Sequence, residues 1–278
     1  MHADAEGLEK KLLLADAEVV LEFDDAVYSQ GDRVRGHVTI LPHDGTPDDV
    51  ILKVGLREIW TSTEDDPETG ELTTRSRGSL RSEVLLDKGE HKSVVRHEAG
   101  SVRFLSAKVY RFSLPLRTNC RITGDDGGWQ LAIHQQEARA IPDFARVEFR
   151  VRPAEEFLAL VAAVTRGLRF CEVESERSWD VDSGATVFRF LPPAVLKEQI
   201  ETLELELRQA EGGAVKGTIT LDLEETSIGD YFKSFLGLQK KVRSFQYSKA
   251  ELSITNPAEK KALTERFARE LEALLELD

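Results

Sequence analysis

"AVYSQGDRVRGHVTI", Ala26 to Ile40, decides how the rest of the chain is read. Two glycines interrupt an otherwise alternating run. A phosphate cradle would place its glycines between a strand and a helix N-terminus. Here Gly31 leads into another alternating strand, so the stretch reads as a hairpin. The strand before it is "VVLEF", Val19 to Phe23. Far downstream "LELEL", Leu203 to Leu207, precedes "VKGTITL", Val215 to Leu221, which repeats the apolar-basic-Gly-x-apolar-Thr-apolar order of "VRGHVTI", Val34 to Ile40. The shared strand-turn-strand context points to an internal duplication. Gly36 and Gly217 would then hold equivalent strand positions, where a bulge or a close backbone approach needs no side chain.

Working outward, alternation dominates from Ala15 to Arg152, the sign of half-buried strands. "AEVVLEF" gives a first strand and "RVRGHVTIL" a second; "DVILKVGLREIWTS", with Ile51, Val54, Leu56 and Ile59 apolar, is a long third. "SEVLLDKGEHKSVVRH", "KVYRFSLPLR", "WQLAIHQQEARAI" and "ARVEFRVRP" continue the series, separated by loops rich in Asp, Gly and Pro. Such a series means a sandwich or barrel rather than βαβ units. The rhythm changes at Pro153, where "PAEEFLALVAAVTRGL" sets Phe157, Leu160, Val161 and Val164 on one helical face. Strands resume with "LRFCEVESE", "TVFRFLP", "IETLELELRQ" and "AVKGTITLDLEE", then a helical excursion "SIGDYFKSFLGL" and strands "VRSFQYS" and "KAELSIT". The last segment, Asn256 to Asp278, opens with Asn256 as cap, Pro257 at the first helical position and Glu259 completing a capping-box-like start. Its apolar stripe is Leu263, Phe267, Leu271, Leu274 and Leu275. That stripe packs on the chain's own sheet or docks a partner, and in the second case Leu263, Phe267, Leu271 and Leu274 are the partner-binding residues.

The 278 residues suit two ordinary domains or one large one, and a hydrophobic share of 41% is enough for real cores. Fifty acidic residues against 37 basic ones leave a net charge of −13, which disfavours nucleic acid and anionic membranes. Cys120 and Cys171 fit no metal or redox spacing. The N-terminus lacks a signal peptide's apolar stretch and no run approaches a membrane span, so the expectation is a soluble cytoplasmic protein with no integral membrane segment.

Several segments together resemble the arrestin-fold family, and in particular its bacterial sporulation-control branch. They are "EFDDAVYSQGDRVRGHVTI" from Glu22, with Gln30 where the family has a proline, and "YRFSLPLRTN" from Tyr110. "WQLAIHQQEARAI" from Trp129, "VEFRVRPAEEFLALVAAVTRGLRF" from Val147 and "SIGDYFKSFLGL" from Ser227 complete the set. The resemblance covers residues 12 to 255 and leaves the helix from Pro257 to Asp278 as an addition. It implies a mainly β chain of two tandem arrestin-like antiparallel β-sandwiches, 1–152 and 153–256, with a short inter-domain helix and a C-terminal amphipathic helix over 257–278. It also implies a non-enzymatic scaffold or regulator that works through protein–protein surfaces. Arrestin-like domains can bury ionic clusters between them, which makes Asp24, Asp25 and Arg33 the candidate cluster here. The other reading of those residues is exposed turn positions.

The sequence contains no nucleophile elbow, zinc-protease helix, Walker loop, dinucleotide fingerprint or EF-hand ladder. Six histidines, His2, His37, His43, His91, His97 and His134, are scattered; His91 and His97 flank "KSVVR" at a separation that sets both on one side of a strand. The acidic run Thr63 to Glu71 reads as a solvated hairpin tip, and Gly124 to Gly128 ("GDDGG") as a mobile loop. With 7% aromatic residues and only Trp129 beside that loop, a glycosidase cleft is weakly supported. The expected chain therefore uses no cofactor and no metal and binds a protein partner or forms a homo-oligomer. The alternatives are a carbohydrate- or calcium-binding β-sandwich and a structural subunit of a larger assembly.

Overall fold

In the computed structural model, the structure describes residues 9–14, 17–42, 52–65, 72–86, 89–98, 101–135, 146–223 and 240–275. The chain falls into two compact units, 1–117 with 123–152, and 118–122 with 153–278.

The strands of the first unit are β1 (Glu9–Leu14), β2 (Ala17–Phe23), β3 (Val27–Ser29), β4 (Arg33–Pro42), β5 (Leu52–Asp65), β6 (Leu72–Leu86), β7 (Glu90–Glu98), β8 (Ser101–Pro115), β9 (Gly127–Gln135) and β10 (Arg146–Arg152). They build two five-stranded sheets, ordered β1-β2-β4-β8-β7 and β3-β10-β9-β5-β6. Strand β10 alternates buried and exposed along its length, as a half-buried strand must. Phe23 of one sheet meets Phe149 of the other with ring centroids 6.1 Å apart, so the core lies between the sheets.

The opening stretch is more than a hairpin. β2 and β4 pair antiparallel, Phe23 opposite Gly36. Between them the chain crosses to the other sheet, where β3 runs parallel to β10 with Tyr28 opposite Val151. Tyr28 holds this corner. Its hydroxyl donates to the Arg35 carbonyl at 3.2 Å and accepts from the Asp25 N–H at 3.3 Å, and its ring packs edge-on against Phe149. Burial raises the phenol above its ordinary range, against the opposing pull of those two hydrogen bonds.

The second unit holds β11 (Cys171–Glu172), β12 (Ser178–Trp179), β13 (Thr186–Leu191), β14 (Ile200–Gln209), β15 (Val215–Leu223) and β16 (Lys240–Tyr247). They form one sheet ordered β11-β13-β14-β15-β16, with β12 also on β13. Its helices are α1 (Glu155–Ala162), which continues as a π turn over Ala163–Gly167, the one-turn α2 (Lys249–Leu252) and α3 (Pro257–Leu275). Among the described residues the layer packed on this sheet is helical: α1 and α3 share one core with Phe188, Phe190, Leu205, Ile219 and Tyr247. The segment 118–122 is tied into this unit through Asn119. Its amide donates to the Gln209 carbonyl at 2.9 Å and accepts from the Gln209 N–H at 2.7 Å, and its own carbonyl accepts from the Trp179 indole.

Three expectations change. Residues 9–14 add a strand ahead of "AEVVLEF", and the strand that ends in "SEVLL" begins earlier than expected, at Leu72. "KAELSIT" opens as helix, because Ser248 and Glu251 complete a reciprocal capping box that closes the backbone into a turn. The segment Ser227 to Leu238 lies outside the described residues.

The duplicated heptapeptides pair in the same register. Phe23–Gly36, Leu21–Val38 and Val19–Ile40 in the first unit match Leu207–Gly217, Leu205–Ile219 and Leu203–Leu221 in the second. On the other side Gly36 faces Phe112 and Gly217 faces Phe245. A methyl group added to Gly36 would collide with the Glu22 carbonyl oxygen and sit 2.8 Å from the Phe112 ring. One added to Gly217 would collide with the Phe245 ring and lie 2.7 Å from Leu207. Each glycine is therefore a seat for a neighbouring aromatic ring. Gly36→Ala and Gly217→Ala should each cost about 1–3 kcal/mol by overpacking, read from chemical denaturation.

Tyr247 offers the opposite case. Its hydroxyl is buried with no hydrogen-bond partner among the described residues, and burial pushes the phenol up to about 12. Tyr247→Phe should leave stability unchanged or raise it by about 1 kcal/mol. Because the native phenol holds its proton longer than the unfolded one, the wild type should lose stability as pH rises from 10 toward 12. Tyr247→Phe should lose less over that window.

Candidate functional site

The residues singled out from the sequence do not converge. Asp24, Asp25 and Arg33 are each exposed. The Asp25 carboxylate accepts from the Val27 N–H at 3.0 Å, an Asx turn, while Arg33 spends its guanidinium on the Ser113 hydroxyl and carbonyl at 2.8 and 2.9 Å. Leu263, Phe267, Leu271 and Leu274 are buried in the second unit's own core. α3 is held there by the Arg243–Glu270 ion pair at 2.6 Å, and the Arg266 guanidinium stacks 4.3 Å over the Tyr247 ring. Its start differs slightly from the expected box: Asn256 accepts from the Glu259 N–H, but the Glu259 carboxylate reaches back to Thr255.

His37 pairs with Glu22 at 2.6 Å, and His91 and His97 both fall on β7. His2 and His43 lie outside the described residues, as does most of the run from Thr63 to Glu71, whose first three residues extend β5. Among the described residues no three His, Cys, Asp or Glu side chains gather as metal ligands. No disulfide joins Cys120, which is buried, to Cys171, which is exposed.

The Gly124–Gly128 segment is not a loose loop. Gly124 and Gly127 exchange backbone hydrogen bonds at 3.0 and 3.3 Å, and the Asp126 carbonyl accepts from the Thr61 N–H at 2.9 Å. This pinned turn walls one end of a cavity of about 690 Å³ in the first unit, lined among others by Val27, Ile59, Trp60, Asp125, Glu148 and Arg150. The cavity exists because β9 begins with two glycines. Gly127 lies opposite Trp60 and Gly128 opposite Ile59, so no side chain covers either apolar group from that strand. Ile59 and Trp60 are half-buried and Val27 is 40% exposed. A methyl group at Gly128 would meet only Thr123, at an ordinary 3.5 Å. Trp129, the aromatic that the sequence placed beside the loop, lines the same cavity but is only 2% exposed.

Trp60 and Ile59 were invisible as site residues because their exposure depends on the β5–β9 register. The only local signal was the pair of glycines before Trp129. Along β5 the inward positions are Leu52, Val54, Leu56 and then Glu58, which is buried and ion-paired with Arg81 at 2.5 Å. Strand alternation then puts Ile59 on the opposite face.

Among solved structures 45 chains match this one. The crystal structure of Spo0M, a sporulation control protein from Bacillus subtilis, aligns over 94% of this chain and all of its own, with a TM-score of 0.57. The fold is the arrestin-like fold of Spo0M. At 13% identity the likeness to Spo0M is one of architecture: mainly β, with three antiparallel-rich sheets, a short middle helix and a C-terminal helix. No family model matches the chain, and no curated protein matches it. Among the described residues no helix is long and apolar enough to cross a membrane.

The burial of the α3 stripe has a measurable consequence. Phe267→Ala should cost about 3–5 kcal/mol and lower the melting temperature. A helix whose stripe served only a partner would leave the melt unmoved.

Proposed function

We propose that this chain is a non-enzymatic, arrestin-like scaffold or regulator that works in the cytoplasm by binding proteins, a reading supported by its likeness in fold to Spo0M, a sporulation control protein. The observation that carries the reading is the groove over Gly127 and Gly128. It presents an apolar strip, Val27, Ile59 and Trp60, flanked by Asp125, Glu148 and Arg150. Apolar floors with a charged rim suit an extended segment that inserts one apolar side chain and sets a basic neighbour against the acids.

Strand addition is the weaker route. The long edge strand β6 carries Arg75, Arg77 and Arg81, and its register slips between Leu56 and Arg57 of β5, leaving Arg81 as the bulged residue. Charges and a bulge are the standard means of blunting an edge.

A second reading has its own observation: Trp60 shares the groove with the Asp125 and Glu148 carboxylates, which is the furniture of a sugar-binding cleft. Gly128→Val separates the fold from the groove. The site has room for the added side chain at the first atom, and the variant should melt like the wild type while filling the cavity. Crosslinking pull-downs from the native cell should recover a specific partner with the wild type and lose it with Gly128→Val. Equal recovery by both would remove the groove from the interaction. A melting temperature raised by oligosaccharide in the wild type alone would favour the sugar reading.

A further inference from the structure

The outer face of the first sheet carries a feature that the groove does not explain. A depression of about 290 Å³ lies beside the Gly36 seat, and its charged or titratable lining is Asp24, Arg35, His37, Lys92 and Arg111. These cations come from β4, β7 and β8, which are adjacent strands in the order β4-β8-β7. Arg35, Lys92 and Arg111 are exposed. None has an ion-pair or side-chain hydrogen-bond partner among the described residues.

That is unusual for this chain. With 50 acidic residues against 37 basic ones, arginines elsewhere find carboxylates: Arg81 takes Glu58, Arg177 takes Glu172, Arg189 takes Glu176 and Glu204, and Arg243 takes Glu270. Here His37 is already matched by Glu22 at 2.6 Å, and Asp24 is the one carboxylate in the lining. Two positive charges remain uncompensated in an acidic protein. Like charges held together without partners repel, at a cost that an anionic ligand would relieve.

The depression recurs in the duplicated half. Gly217 is lined in the same way, with Lys216 in the place of Arg35, Phe245 in the place of Phe112, and Arg208 at the position of Asp24. A basic residue beside a ring-covered glycine is thus a repeated element and not a scatter of surface lysines. In the second half Glu206 joins the lining, so the first-unit depression is the more cationic of the two.

We propose that the depression beside Gly36 binds an acidic peptide segment of a protein partner. Three cations drawn from three neighbouring strands are spread across about 10 Å of sheet, at roughly 5 Å per strand. One carboxylate or one phosphate group cannot meet all three, whereas an extended peptide presents a side chain on one face about every 7 Å. The expected occupant therefore carries two or more Asp or Glu side chains, taken up as charge-assisted hydrogen bonds with Arg35 and Arg111 and a looser contact with Lys92.

The site is separate from the groove of the proposed function, and the test keeps the two apart. A fluorescent deca-glutamate peptide is titrated into the full chain and followed by anisotropy. Binding should weaken with added salt. Arg35→Gln and Arg111→Gln should each weaken it about tenfold or more, because a hydrogen bond to a charged group is worth about 1.5–3 kcal/mol. Both arginines are exposed and unpartnered, so the variants should melt like the wild type. Gly128→Val should bind the peptide normally, so that a failed groove and a failed basic site give different results. Absence of binding, or equal binding by the Arg35→Gln/Arg111→Gln double variant, would overturn the proposal. So would displacement of the peptide by inorganic phosphate at matching concentration, which would mark a single-anion site.

Discussion

A ring seated on a glycine organises both halves of this protein. Phe112 lies against Gly36 and Phe245 against Gly217, each across one strand-to-strand step. A buried strand with no side chain at its centre would lose packing and backbone order. The neighbouring aromatic side chain restores the apolar contact and leaves only one register in which it fits. Slipping either pair by one residue would set the ring against a flanking side chain, Arg35 or His37 in one unit and Lys216 or Thr218 in the other, and turn every buried position of the strand to solvent. The strands that carry these glycines, β4 and β15, are therefore fixed in register against both of their neighbours.

Function, on this view, is a matter of what the rigid strands leave uncovered. Glycine does the uncovering in both cases, in different ways. At Gly127 and Gly128 it removes cover from Ile59 and Trp60 and opens an apolar groove. Beside Gly36 it draws a ring inward, and the flanking residues Arg35 and His37 stand around the resulting hollow. One face of the first unit is thus suited to an apolar anchor and another to carboxylates, although the chain as a whole is strongly acidic. Net charge describes long-range encounter; the local charge at each face decides what can stay.

How much of this the sequence reveals depends on the range of the interaction. The β-sandwich character was readable because alternation is local, and the duplication because seven residues and their flanks suffice to show it. The cap at Asn256 and Pro257 was equally local. The excursion of β3 was not, since three residues pair with a strand more than a hundred positions away. Trp60 escaped for the same reason: its exposure is set by which residues of β9 stand opposite. "KAELSIT" misled because its alternation is genuine, yet the Ser248–Glu251 pair outweighs it over a single turn. The basic hollow draws on β4, β7 and β8, none of which looks remarkable alone in a chain of this charge.

The assignment of residues 118–122 to the second unit bears on how such a molecule is inherited. The five residues lie within the stretch of chain that otherwise builds the first unit, and Asn119 bonds the Gln209 backbone in both directions. Recombination between related genes at residue 153 would deliver a second half whose Gln209 meets a stranger's loop. Modular exchange succeeds only where both pieces travel together, so this pair of units should diverge as one evolutionary block.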